Sequence, residues 1–227
     1  MTAAVHASID HISVLPTVTF GVVSGRRLDD VAMRVGGAAE FVAGLHGLEI
    51  VGPNVSFRHE ALEAVVPIIA DVALSVGHQL AWCPEIYLEN KTYALTCHVR
   101  RVPEALRPLA LEQFESIVHP LVARHVLKLL NGAEALEILP AVAWDKGRAA
   151  NWIRSFVETT RGHHVTVVYL GDDRTDEDAF DALRDEDLVI GVGDRPHAHL
   201  IDWRLAGPAS VGRLFSRIAE WRSSPRE

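Results

Sequence analysis

The sequence predicts an α/β protein whose core is interrupted by an α+β insertion, and three observations predict it. Residues 1–52 and 141–227 alternate helical and strand patterns. Residues 53–140 instead read helix, strand, strand, helix, strand, strand, the order of a small open sheet covered by helices on one face. Third, the β-branched apolar run Val165-Thr166-Val167-Val168-Tyr169-Leu170 ends abruptly in Gly171 and a cluster of carboxylates. Buried parallel strands read as such runs, and ligands of open α/β sheets bind beyond their carboxyl ends.

The elements follow in order. Val5, Ile9, Ile12 and Leu15 recur at helical spacing, and Pro16 ends that helix. Residues 17–23 form a strand pattern that stops at Ser24-Gly25-Arg26. Residues 28–35 are helical, with Gly36-Gly37 as the stop, and residues 41–51 read as one strand interrupted by glycines. Gly52-Pro53-Asn54 marks a turn. Within the insertion, Leu62, Val65, Val66, Ile69, Val72, Ala73 and Val76 make a helical stripe with Pro67 as an expected kink. Strands are expected over 85–90 and 92–101, one or two helices over 103–124, and a strand pair over 125–130 and 133–139 around the Asn131-Gly132 hairpin signal. After Pro140 come a helix opening near Asp145, the strand 165–170, a helix over 176–183, a strand over 188–192 and a helix over 209–221, with a frayed charged tail.

Composition excludes several classes. No run of eighteen apolar residues appears, so no membrane span is expected, and no secretion signal is visible. The net charge of −8 argues against bulk binding of nucleic acid. Cys83 and Cys97 lack metal-ligand spacing and read as reduced thiols of a cytoplasmic protein. The twelve histidines include no pair with His-x3-His spacing. Nothing in the chain specifies an oligomeric state.

Three segments carry chemistry. Asp172 and Asp173 stand directly off a buried strand, and Asp176, Glu177 and Asp178 follow in a first helical turn. An acidic helix start, favoured by the helix dipole, explains the second group but not the first. Hard oxygen ligands of this kind suit magnesium, which is held by one or two carboxylates plus substrate phosphate. Ser24-Gly25-Arg26-Arg27 reads equally as an anion site at a helix start or as an ordinary cap. Lys146 opposes the dipole at a helix N-terminus and Gly147 costs propensity there, so Lys146 is either an exposed lysine or one aimed at a phosphoryl group.

Val22-Val23-Ser24-Gly25-Arg26, Gly44-Leu45-His46-Gly47-Leu48-Glu49, Glu89-Asn90-Lys91, His98-Val99-Arg100, Glu137-Ile138-Leu139-Pro140, Lys146-Gly147 and Gly171-Asp172-Asp173-Arg174-Thr175-Asp176-Glu177-Asp178-Ala179-Phe180 fall in one order along nearly the whole chain. In that order they resemble the haloacid-dehalogenase phosphatases and, among them, the trehalose-6-phosphate phosphatase family. The resemblance implies a haloacid-dehalogenase-like Rossmannoid core with an αββαββ cap, a phosphomonoesterase, a sugar phosphate as the small-molecule partner and Mg2+ as cofactor. It implies Ser24 and Lys146 as phosphoryl ligands, Asp172 as the magnesium carboxylate, and Asp173 and Asp176 as supports of the metal and of Lys146. Arg26 would lie on the substrate side, and His46 and Glu49 near the hinge between core and cap. Glu89, Lys91, His98, Arg100 and Glu137 would face the disaccharide, although the alternation of a solvated sheet face alone also yields them.

The family's opening strand ends in Asp-x-Asp-Gly-Thr, whose first Asp is the nucleophile. No such motif occurs in these 227 residues; Asp10 lies in a helical pattern with no Gly-Thr after it. The chain is therefore expected to be a fragment of the enzyme, or a protein that retains a sugar-phosphate pocket without catalysis; a related sugar phosphatase is the third reading. The resemblance sets the absent strand between strands 17–23 and 165–170, where a gap or a direct pairing is expected.

Overall fold

The computed structural model describes residues 3–132, 134–183, 185–194 and 201–223. The expected frayed tail lies, from residue 224 onward, outside the described residues. The chain forms two compact units, one of residues 1–57 and 144–227, the other of residues 58–143.

In the first unit, helix α1 (Ala3–Ser13) leads to strand β1 (Gly21–Val23) and helix α2 (Leu28–Val35). Strands β2 (Phe41–Gly44), β3 (Glu49–Gly52) and β4 (Val55–Arg58) complete a four-stranded sheet in the order β1-β2-β3-β4. β1 and β2 are parallel and β2 and β3 antiparallel. The stretch expected as one strand over 41–51 is thus two strands folded back on each other about a tight turn at Leu45–Gly47. Alternation along β2 assigns its faces: Phe41 and Ala43 pack with Ala149 and Val157 of the helix that follows residue 145, and Val42 packs with Val31 and Val35 of α2.

The second unit contains helix α3 (Ala61–Gln79), strands β5 (Tyr87–Asn90) and β6 (Leu95–His98), helix α4 (Arg107–Ala123) and strands β7 (Leu127–Asn131) and β8 (Ala135–Pro140). Its antiparallel sheet runs β5-β6-β8-β7. Leu95, Cys97, Leu127, Leu136 and Ile138 meet Val65, Ile69, Val72 and Val76 of α3 and Phe114 and Val118 of α4 in one core. Pro67 does not break α3. It lies on the exposed face, where the carbonyl that loses its amide partner is open to solvent. α3 is also long and apolar enough to cross a membrane, a property the search for an unbroken apolar run missed because Glu63 and Asp71 interrupt it. Its stripe is laid into the unit's own core.

The first unit resumes with helix α5 (Lys146–Arg161), strand β9 (Val168–Gly171), helix α6 (Glu177–Ala182), strands β10 (Leu188–Val192) and β11 (Trp203–Leu205), and helix α7 (Pro208–Ser223). β9, β10 and β11 form a parallel three-stranded sheet in the order β11-β10-β9. Among the described residues β1 pairs with β2 alone and β9 with β10 alone, so each ends its sheet. β1 and β9 do not pair with each other among the described residues. Val18 and Phe20, just before β1, and Leu170 of β9 pack against the same cluster of Val5, Ile9, Ile12 and Phe215 from α1 and α7. α1 and α7 thus supply one apolar cluster to the approach of β1 and to β9.

Candidate active site

The acidic loop at the end of β9 is organised by Asp176. Its Oδ1 accepts from Lys146 Nζ at 2.7 Å and from the Tyr169 hydroxyl at 3.0 Å. Its Oδ2 accepts the backbone N–H groups of Asp172 at 3.1 Å and Asp173 at 3.0 Å. The Lys146 and Asp176 side chains are 8% and 6% exposed, which excludes the exposed lysine left open by the sequence. Four donors around one carboxylate offset the desolvation of a buried charge. Asp173 caps the turn that follows, its carboxylate accepting from the Arg174 amide at 2.8 Å. The carboxylate of Asp172 is exposed and has no partner among the described residues, so it is the oxygen donor free to act at the end of β9.

Asp145 is a normal N-cap of α5, accepting from the Arg148 amide at 2.8 Å. A β-carbon on Gly147 would lie 2.3 Å from the Asp178 carbonyl oxygen, so its low helix propensity is the cost of setting α5 directly against α6. That contact brings the first turn of α5, and with it Lys146, to the loop of Asp176.

Ser24 follows β1, and its Oγ accepts from the Arg26 amide at 3.2 Å. It is not the cap of α2; that position is Arg27, which makes no side-chain capping bond. Arg26 is exposed and pairs with Asp30 at 3.2 Å. His46 is 8% exposed, and its amide donates to the Ser24 carbonyl at 2.9 Å. Glu49 opens β3 opposite Gly44. The first unit thus brings together Lys146, Asp172, Asp173 and Asp176, and beside Ser24 it sets His46.

In the second unit, Glu89, Thr96 and Glu137 lie side by side across β5, β6 and β8. Lys91 Nζ donates to Glu137 Oε1 at 2.6 Å, and Thr96 Oγ1 donates to the same oxygen at 3.1 Å. His98 is 2.8 Å from Glu89 and stacks on Tyr87 with ring centroids 5.5 Å apart. Arg100 stands apart: it follows β6, is exposed, and pairs with Glu134 at 2.7 Å. That guanidinium holds the Glu134 carboxyl below its ordinary range.

Tyr169, Thr96, Tyr87 and Trp144 join these clusters without having been expected. A tyrosine inside an apolar strand pattern was the available signal for Tyr169, since a buried hydroxyl needs a partner. Burial, and next the Asp176 carboxylate, push the Tyr169 phenol far above its ordinary value. A folded-state value above the unfolded one, about 10, stabilises the fold fully below pH 10, and this is lost as pH rises further. Urea unfolding between pH 9 and 11 should therefore fall off more steeply for the wild type than for Tyr169→Phe, by up to about 1.4 kcal/mol per pH unit. Parallel slopes would contradict the assignment.

Magnesium chemistry fits the donor set. No cluster of three or more His, Cys, Asp or Glu able to hold a metal occurs among the described residues. Magnesium does not need one, because it keeps waters and takes one or two carboxylates with substrate phosphate. Asp172, with Asp173 beside it, offers that much.

The family model for trehalose-phosphatase matches residues 9–200. Trehalose-phosphate phosphatase B of Arabidopsis thaliana is 33% identical over 224 residues, covering 94% of this chain and 58% of that protein. The trehalose-phosphate phosphatase of Mycobacterium marinum is 32% identical over 209 residues, covering 89% of this chain and 52% of that protein. The chain thus spans about half the length of the curated relatives it matches. A crystal structure of a trehalose-6-phosphate phosphatase related protein superimposes with a TM-score of 0.79 at 16% identity, covering 97% of this chain and 88% of that one. At that identity the likeness speaks to the fold, which is that of the haloacid-dehalogenase-like hydrolases. With the family model spanning most of the sequence and a relative 33% identical over 94% of it, the chain belongs to the trehalose-phosphatase family.

Proposed function

We propose that this chain carries the phosphoryl- and sugar-binding parts of a magnesium-dependent phosphomonoesterase for trehalose 6-phosphate. The observation that carries the reading is the buried Lys146–Asp176 pair beside the free carboxylate of Asp172. Lys146 is held by Asp176 with ammonium protons to spare for phosphoryl oxygens. Ser24 adds a hydroxyl, and Asp172 and Asp173 hold the metal. Magnesium, when bound, neutralises charge on the phosphoryl oxygens. Glu89, Lys91, His98 and Glu137, with Thr96, present fixed donors and acceptors to sugar hydroxyls. Arg26 and Arg100 contribute a positive approach from their exposed positions. Two free, buried thiols, Cys83 and Cys97, agree with a cytoplasmic setting.

A second reading is a sugar-phosphate-binding module built on the same pocket. Calorimetric titration with trehalose 6-phosphate in magnesium tests the shared core of both. The expected result is binding that Lys146→Met weakens about 10- to 100-fold, the worth of a charge-assisted hydrogen bond. Asp176 keeps three donors in that variant, so the fold should survive. Asp172→Ala should remove the magnesium dependence of binding. Wild-type affinity in Lys146→Met sinks the site, and tighter binding of sucrose 6-phosphate would reassign the substrate.

A further inference from the structure

The turn after β2 has a backbone that its sequence does not favour. Leu45, His46 and Gly47 have φ of 50°, 57° and 92°, two of them at residues with side chains. Such a conformation persists only where surrounding contacts over-determine it. Here the contacts run in two directions. Toward the Ser24 loop, the Leu45 amide donates to the Arg26 carbonyl at 2.8 Å and the His46 amide to the Ser24 carbonyl at 2.9 Å. The His46 ring closes over Gly25, where an added β-carbon would lie 2.6 Å from its Cε1 and Nε2. Toward α5, the indole Nε1 of Trp144 donates to the Gly47 carbonyl at 2.7 Å. Trp144 also stacks on Phe57, with centroids 4.6 Å apart and 20° between planes. It stands two residues before Lys146 and next to the cap Asp145.

We infer that Trp144 and the left-handed turn form a strut between the two phosphoryl-binding segments, with Trp144 and His46 as positioning residues. Trp144 fixes the turn to the start of α5, and the turn fixes the Ser24 loop through two amides and the His46 ring. The inference rests on the phosphoryl reading of Ser24 and Lys146. It assigns His46 to the Ser24 loop, where the resemblance had implied only a place near the hinge. A ligand grasped from two segments is sensitive to their spacing, and small displacements there cost large factors.

Trp144→Phe tests this, because it removes the N–H and retains the stacked ring. Hydrogen exchange at the Leu45 and His46 amides, referenced to β10, should speed up about tenfold, and Kd for inorganic phosphate with magnesium should rise about tenfold. Phe57→Leu removes the stacking and leaves the indole bond. It should lower thermal stability while both local readouts stay within about twofold of wild type. A merely structural Trp144 predicts that the two variants lose stability alike and that neither changes phosphate affinity; that result overturns the strut. If Trp144→Phe speeds exchange at the two amides but the wild type takes up no phosphate, the link stands and the phosphoryl reading of the site fails. Unchanged exchange in Trp144→Phe with normal phosphate binding overturns the link and leaves that reading intact.

Discussion

These 227 residues should release no phosphate from trehalose 6-phosphate above background, and a polypeptide with an Asp-x-Asp-Gly-Thr strand joined ahead of them should turn it over with magnesium. The difference is set by the nucleophile. Removing an activated nucleophile costs on the order of a million-fold in rate in the best-studied unrelated hydrolase. In the proposed site Lys146, Ser24 and the Asp172 loop bind and neutralise the phosphoryl group, and the covalent acceptor is the Asp of the joined strand. The same experiment has a structural readout. β1 and β9 are single-sided edges of two sheets, and Val168 on β9 is 42% exposed. Unpaired edges cost stability and invite aggregation. A strand able to pair with both should raise Tm along with restoring turnover. Robust turnover by the 227 residues alone would mean that Asp10 or another group serves as nucleophile, and the proposed division of labour would be wrong.

How far the sequence anticipated this arrangement depends on which interactions decide each element. The acidic loop was legible because its cause is local: a strand ends, a glycine turns, and the carboxylates that follow have no role in the preceding periodicity. Lys146 was legible because two adjacent residues broke helix rules together. The hairpin of β2 and β3 was not. Its turn is made by Leu45 and His46 in left-handed conformation, held by carbonyls of the Ser24 loop and by Trp144 about a hundred residues away in sequence. β11 was missed because three residues, Trp203–Leu205, are too few to establish a period. The Ser24 segment was read as a possible cap because hydroxyls favour caps, yet α2 begins four residues later, at Leu28, without any side-chain cap.

The largest stability effect should come from Arg154, a residue with no visible catalytic duty. On α5 it is buried against Asp187 in the segment before β10, their side chains 1% and 0% exposed. The other oxygen of Asp187 accepts the Val167 amide at 2.8 Å, one residue before β9. The pair therefore ties the helix that starts with Lys146 to the strand that leads into Asp172. Two nitrogens of Arg154, Nε and Nη1, have no partner among the described residues, so the desolvation of the guanidinium is incompletely offset. Arg154→Met should destabilise the fold by about 3–5 kcal/mol, because it removes the guanidinium from a buried carboxylate. For a protein of this size that lowers Tm by roughly 6–20 °C. Arg154→Met with Asp187→Leu should be more stable than Arg154→Met alone, since the buried carboxylate goes with its guanidinium; losing the acceptor of the Val167 amide costs about 1–3 kcal/mol. Urea unfolding of the two variants distinguishes the cases. A double variant no more stable than Arg154→Met would show that the pair is worth more than its desolvation, and that what it holds in register is the site.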